Sequence, residues 1–318
     1  MTDAPAPRVA VISGGVGAAR FLRGLIDAID PSGVTAIVNV ADDMVLHGLS
    51  ISPDIDTVTY TLADAIDPGR GWGLKNETWS AMAALARFGD RDWFSLGDHD
   101  LATHLERTAR LAEGATLTEA TRDIAAAWGV EAAILPVTND RVSTFVTRAD
   151  TNEEISFQEY FVRLKHAVAI SSVRFDNAEN ATATPQVRLA IDEADVVIIA
   201  PSNPIVSIAP VLAVPGVLDA LRARSGPTVA ISPIVGGKAL KGPAADMLRE
   251  LGHSADAAGV AGLWTEFVDV LLIDDIDAHR SEAVATAGVV PYVTDTVMAS
   301  PTRRERLART ALSAAQLG

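Results

Sequence analysis

The acidic doublet Asp42-Asp43 is followed, about a dozen residues on, by Asp54-Ile55-Asp56. Oxygen donors at this density suit a hard cation such as Mg²⁺, which takes one or two carboxylates plus substrate phosphates. Upstream, Ser13-Gly14-Gly15-Val16-Gly17-Ala18-Ala19-Arg20 reads as a tight loop opening a helix. Such a loop aims unhindered backbone N–H groups at an anion, usually a phosphate. Carboxylates close to a phosphate repel it unless a cation lies between them, so the two features together point to a metal–phosphate site. Arg20, one turn into the helix, is either a phosphate contact or a solvated helix residue. Asp56 also stands where it could cap a helix beginning at Thr57.

The segment Gly97-Asp98-His99-Asp100, leading to His104, places two carboxylates and two imidazoles at a helix start. Capping by Asp98 or Asp100 explains it structurally; His99 as a contact or proton acceptor for a substrate hydroxyl explains it functionally. The His-x4-His spacing lacks the glutamate pattern of a zinc helix. Of the tryptophans, Trp72, set between glycines, is the best placed to touch a flat ring. The glycine loop begins like a dinucleotide fingerprint, but Arg20 replaces the third small residue and Asn39 stands where an acid would bind the ribose. With no Lys-Ser or Lys-Thr pair it is not a Walker loop either.

These residues need a frame. The 318 residues are 48% hydrophobic with a net charge of −15 and no cysteine. A large core is possible without disulfides or thiolate metal sites. The charge disfavours nucleic acid and anionic membranes as partners. No signal peptide and no membrane-length apolar run is evident, so a cytoplasmic location is expected. Strand-like runs alternate with helical ones at 18–29, 57–65, 77–87, 101–112, 118–128, 186–194, 244–251 and 303–316. The pattern predicts an α/β fold with a Rossmann-like, mostly parallel sheet. One domain over 8–312 is expected, its nucleotide-binding core at about 8–60 and 166–300, with a helix-rich insertion at about 61–165. Three apolar strands run into small polar loops: Ser13-Gly14-Gly15, Pro201-Ser202-Asn203-Pro204 and Ser232-Pro233 through Gly236-Gly237-Lys238. Ligands bind outside the carboxyl ends of such strands, so the three loops outline one pocket rim.

In order, these motifs resemble the 2-phospho-L-lactate transferase family of deazaflavin-coenzyme biosynthesis. The resemblance rests on Ser13-Gly14-Gly15-Val16-Gly17, Val38-Asn39-Val40-Ala41-Asp42-Asp43 and Ser52-Pro53-Asp54-Ile55-Asp56-Thr57. It continues through Trp72-Gly73, Leu96-Gly97-Asp98-His99-Asp100, Phe157-Gln158-Glu159, Pro201-Ser202-Asn203-Pro204 and Ser232-Pro233-Ile234. It covers about residues 8 to 300. Val16-Gly17-Ala18-Ala19-Arg20-Phe21 and Arg70-Gly71-Trp72-Gly73 look like the bacterial branch, which transfers phosphoenolpyruvate.

The resemblance implies a Mg²⁺-dependent, dimeric enzyme. Its donor would be guanosine diphosphate carrying enolpyruvate or lactate, its acceptor the ribityl hydroxyl of the deazaflavin Fo, and its products GMP and the precursor of coenzyme F-420. Asp43 and Asp56 would hold the metal, and Asp56 or His99 would orient the acceptor. Gly14, Gly15, Val16, Gly17 and Arg20, with Ser202, Asn203, Ser232 and Gly236, would bind the nucleotide. Many members carry Arg where this chain has His99. The competing expectation is a nucleotide-sugar-binding regulatory protein of related fold without transfer activity.

Overall fold

Val, Ile and Ala dominate the strand-like runs, and such runs are stable only where both sheet faces are covered. In a computed structural model, which describes residues 7–89 and 92–317, they form one central sheet. In chain order the strands are β1 (Val9–Ser13), β2 (Val34–Val38), β3 (Met44–Leu46), β4 (Leu49–Ile51), β5 (Ala133–Pro136), β6 (Ser143–Arg148) and β7 (Glu154–Ser156). They continue as β8 (Ile170–Asp176), β9 (Val196–Ile199), β10 (Thr228–Ile231), β11 (Ile234–Val235), β12 (Lys238–Ala239), β13 (Val270–Ile273) and β14 (Val290–Val293). The central sheet has the order β14-β13-β10-β9-β1-β2-β5, and each of its pairs is parallel. Every residue of β1, β10 and β13 is buried.

The chain grows from β1 through β2 to β5, then returns beside β1 and grows the other way from β9 to β14. The order therefore reverses between β1 and β9, where Val11 lies between Ala36 and Ile198. A doubly wound sheet leaves its ligand crevice at that reversal, beyond the carboxyl ends of the strands. Two antiparallel elements flank the crevice: the hairpin β3–β4 and the short ribbon β11–β12. A third antiparallel sheet, β7-β6-β8, stands apart from the main one.

The eight expected helices are present with shifted ends. The largest shift is in the second, which begins at Pro53 after an N-cap at Ser52. Asp54 and Asp56 thus sit in its first turn, where the positive end of the helix favours carboxylates, and Asp56 is not a cap. The capping box at Thr116 and Glu119 forms as its spacing predicts. Helices Val217–Ala223, Ala257–Trp264 and Ser281–Thr286 were not expected. The run AAGVAGLW has no polar face, so no amphipathic period shows in it.

The stretch 61–165 is not simply a helical layer over the sheet. Its strand β5 pairs with β2 as the edge of the central sheet, and β6 and β7 belong to the smaller sheet. Its helical part comprises Ser80–Leu85, Asp100–Ala112 and Leu117–Ala127. Among the described residues no single helix is long and apolar enough to cross a membrane.

Candidate functional site

Close packing of two loops shapes the crevice. Gly15 takes φ +70, which glycine alone accepts at little cost, and a Cβ on Gly17 would overlap the Pro201 carbonyl oxygen. Ser202 Oγ donates to the Gly14 carbonyl at 2.7 Å, tying the loop after β9 to the loop after β1. Asn203 spends its Oδ1 on the Ile205 N–H at the start of a one-turn π-helix, Pro204–Ile208. The result is a cleft of about 780 Å³, within the usual range for small-molecule sites, lined by all three loops that follow β1, β9 and β10.

Facing the glycine loop is a buried carboxylate cluster. Asn39, at the end of β2, donates from Nδ2 to Asp54 Oδ2 at 3.0 Å and accepts the Ala41 N–H on Oδ1. This buried amide is committed to the protein and leaves no acid for a dinucleotide ribose. The Gly15 N–H also donates to Asp54. Ser52 Oγ donates to Asp43 Oδ2 at 2.6 Å. Asp42 Oδ1 and Asp43 Oδ1 are buried without a hydrogen-bond partner. Burial raises the pKa of Asp42, with Asp54 and Asp43 adding like-charge repulsion. Burial likewise raises Asp43, and it pushes Asp54 up to about 6 against the bonds from Asn39 and Gly15. Buried carboxylates that crowd one another this way need protons or a cation. All-oxygen donors with two orphaned buried atoms fit a hard divalent ion.

Asp56 is neutralised differently. Arg107, fully buried on helix Asp100–Ala112, grips both of its oxygens, Nη1 to Oδ2 at 3.1 Å and Nη2 to Oδ1. Burial still raises the Asp56 pKa, with Arg107 and His104 opposing. His104 lies between two acids, Nδ1 at 3.6 Å from Asp56 and Nε2 at 3.5 Å from Asp100. Tyr60 donates its hydroxyl to Asp100 at 2.6 Å. Burial pushes Asp100 up, but His104 and Tyr60 outweigh it and hold the carboxyl below its ordinary value. One ligand atom each from Asp56, Asp100 and His104 lies within 4.8 Å of the others. The Arg107 guanidinium nevertheless already supplies the positive charge there and also draws the Asp43 pKa down, so the carboxylates left without a cation are Asp42 and Asp54.

Residues 9–312 match the family model described as 2-phospho-L-lactate transferase CofD. The chain belongs to this family. It is 40% identical over 314 residues to a phosphoenolpyruvate transferase of Kitasatospora aureofaciens, covering 97% of this chain and 98% of that one. It is 42% identical over 317 residues to a phosphoenolpyruvate transferase of Mycobacterium avium, covering 91% and 94%. A crystal structure of a UPF0052 family protein from Bacillus halodurans superposes with a TM-score of 0.68 at 17% identity, covering 96% of this chain and 98% of that one. At that identity the likeness speaks for the fold alone.

In this CofD family member the cleft gathers most of the expected residues and excludes three. Gly14, Gly15, Val16, Gly17, Arg20, Asp56, Ser202, Asn203 and Ser232 line it. Gly236 does not; at the tip of the ribbon its N–H is spent on Asp277 at 2.8 Å, while Val235 and Ala239 of the same ribbon line the cleft. His99 is exposed at a helix N-terminus, its Nδ1 3.2 Å from Glu77, whose carboxylate caps that helix. The imidazole at the cleft is His104. Asp43 sits behind the lining, held by Ser52, and its neighbour Asp42 faces the cleft with Asp54. Asp98 caps a different helix, accepting the Ser80 and Ala81 N–H groups and the Thr78 hydroxyl, which lower its pKa to about 2.

Sequence reasoning passed over Arg107. The signal was present: Asp100, His104 and Arg107 follow an i, i+4, i+7 spacing that normally marks an apolar core stripe. Polar residues at those positions announce a buried network.

The raised carboxylate pKa values set a pH dependence. A folded-state pKa above the unfolded value gives stability that is present in acid and lost as pH rises through it. For Asp54 the window runs from about pH 4 to about pH 6, and the loss is on the order of 3 kcal/mol. In the presence of a chelator, Asp54→Asn is expected to gain melting temperature over wild type as pH rises through this window. If Asp54 helps to hold a divalent ion, adding Mg²⁺ above pH 6 closes the gap by stabilising wild type alone. Parallel thermal melts of the two proteins from pH 4 to 7 provide the check; a constant difference would show that Asp54 titrates normally.

Proposed function

We propose that this chain transfers the phosphoenolpyruvyl group, or the 2-phospho-L-lactyl group, from a guanosine-diphosphate-linked donor to the deazaflavin Fo. GMP leaves, and dehydro-coenzyme F-420-0 or coenzyme F-420-0 forms. Family membership and the phosphoenolpyruvate transferases at about 40% identity support this reading. The observation that carries it is the sharing of one cleft by the helix-opening glycine loop, Asp42 and Asp54 without a cation, and Trp72.

Asp42 and Asp54 would hold Mg²⁺, with Asp43 adding negative charge from behind. When bound, Mg²⁺ supplies neutralisation of the diphosphate oxygens. Phosphoryl transfer passes through a loose transition state, so the protein's task is positioning and charge compensation more than strong base catalysis. The N–H groups of residues 14–17 left free by Asp54, and the Arg20 guanidinium, hold the nucleotide phosphates against the first helix. Asp56, fixed in orientation by Arg107, accepts a hydrogen bond from the attacking hydroxyl. Trp72 offers an exposed face to the flat acceptor ring. Its indole meets Trp79 edge-on, and the Arg70 guanidinium lies 5.5 and 5.3 Å from the two rings.

A phosphorus NMR assay with Fo, Mg²⁺ and each guanylyl donor in turn tests the reading. GMP release together with a new phosphodiester resonance is expected, and it stops with chelator. Donor binding with no GMP release under any combination is the behaviour of a nucleotide-binding regulator and would overturn the proposal.

A further inference from the structure

Two cations at the cleft remain unaccounted for by internal ion pairs. Arg20, on helix Gly15–Ala28, and Lys241, just beyond the ribbon β11–β12, both line the cleft. Among the described residues neither is paired with a carboxylate, although the chain carries a net charge of −15. Most of the arginines elsewhere in this chain have such a partner. Lys241 spends one N–H on the Arg70 carbonyl oxygen at 2.9 Å, which leaves two donors on its ammonium.

Their approach is built in. A Cβ on Gly71 would lie 3.1 Å from Lys241 Nζ and 3.6 Å from Val16 Cγ1, so the ammonium, the Trp72 loop and the first turn of the helix meet at one corner. Partial burial and then the charge of Arg20 depress the Lys241 pKa. Like charges brought together without a counter-ion repel, and an anion bridging them relieves that repulsion.

We propose that Lys241 and Arg20 form a two-cation subsite for an oxyanion of the nucleotide donor, with Lys241 delivered by the ribbon and fixed on the Arg70 carbonyl. This deepens the transferase reading by assigning Lys241, a residue outside the glycine loop, to donor recognition. The oxyanion is either a diphosphate oxygen or the carboxylate of the transferred three-carbon acid, since both offer the same acceptor chemistry to a paired cation.

The test compares wild type, Lys241→Gln and Lys241→Arg, each as the full chain and each first shown to melt like wild type. GDP with Mg²⁺ is titrated by calorimetry, and KM is measured for the complete guanylyl donor. If the subsite takes the diphosphate, Lys241→Gln weakens GDP binding by about tenfold and Lys241→Arg restores it. If it takes the carboxylate, GDP binding is unchanged and the KM for the complete donor rises by about tenfold. Unchanged GDP affinity together with unchanged KM in Lys241→Gln overturns the subsite. Should wild type release no GMP from any donor while Lys241→Gln still weakens GDP, the subsite stands and the transferase reading falls.

Discussion

Asp42→Asn is expected to lower transfer turnover by about 100- to 1,000-fold while raising the melting temperature of the metal-free protein. The two effects share one cause. Asp42 is buried, its Oδ1 has no hydrogen-bond partner, and Asp54 and Asp43 add repulsion to the cost of keeping it charged. The neutral amide removes that repulsion, so the fold gains. The same change removes a negative oxygen from the position where a divalent ion would be held, so charge compensation in the transition state is lost. A residue that merely supports the fold would lose stability and activity together; opposite signs mark a site kept under electrostatic tension. Asp43→Asn should act more weakly on turnover, because Asp43 stands behind the lining and is already bonded to Ser52. Side-by-side kinetics and melts of the two variants decide the matter. Full turnover in Asp42→Asn with loss in Asp43→Asn would return the metal to the doublet's second member.

Arg107→Met is expected to destabilise the protein by about 3–5 kcal/mol, the usual result of stripping one partner from a buried ion pair. Arg107 has no solvent exposure and sits within reach of Asp56, His104 and the Ser50 carbonyl. Without it, Asp56 keeps only the His104 imidazole at 3.6 Å, and its carboxyl must share a proton with that ring or draw in water. The double variant Arg107→Met with Asp56→Asn should recover much of the loss, since it buries no uncompensated charge. Urea unfolding of the three variants reads this directly. A single-variant loss below about 1 kcal/mol would place the pair in effective contact with solvent and remove Arg107 as the anchor of Asp56.

Much of this architecture was readable from local patterning. The strands of the central sheet are short runs of β-branched and small apolar residues, and alternation with helical segments is enough to indicate a parallel sheet with covered faces. The glycine loop announced itself because a positive φ at Gly15 favours glycine and the close approach at Gly17 leaves no room for a Cβ. The three loops at strand ends were legible as a rim for the same reason: short polar connections after buried strands can only lie beyond their carboxyl ends.

The sequence by itself determined the fold class, the place of the glycine loop and the presence of a carboxylate cluster, because each is encoded within a few neighbouring residues. Only the tertiary structure decided which carboxylates share a charge problem. Asp42 faces the cleft and Asp43 turns behind it, a difference of one residue that depends on how the chain leaves β2. Asp56 drew its counter-ion from a helix fifty-one positions away along the chain. His104 reached the cleft while His99, one turn earlier, stayed in solvent with Glu77. Desolvation and ion pairing depend on three-dimensional neighbours, and no local spacing reports who those neighbours are.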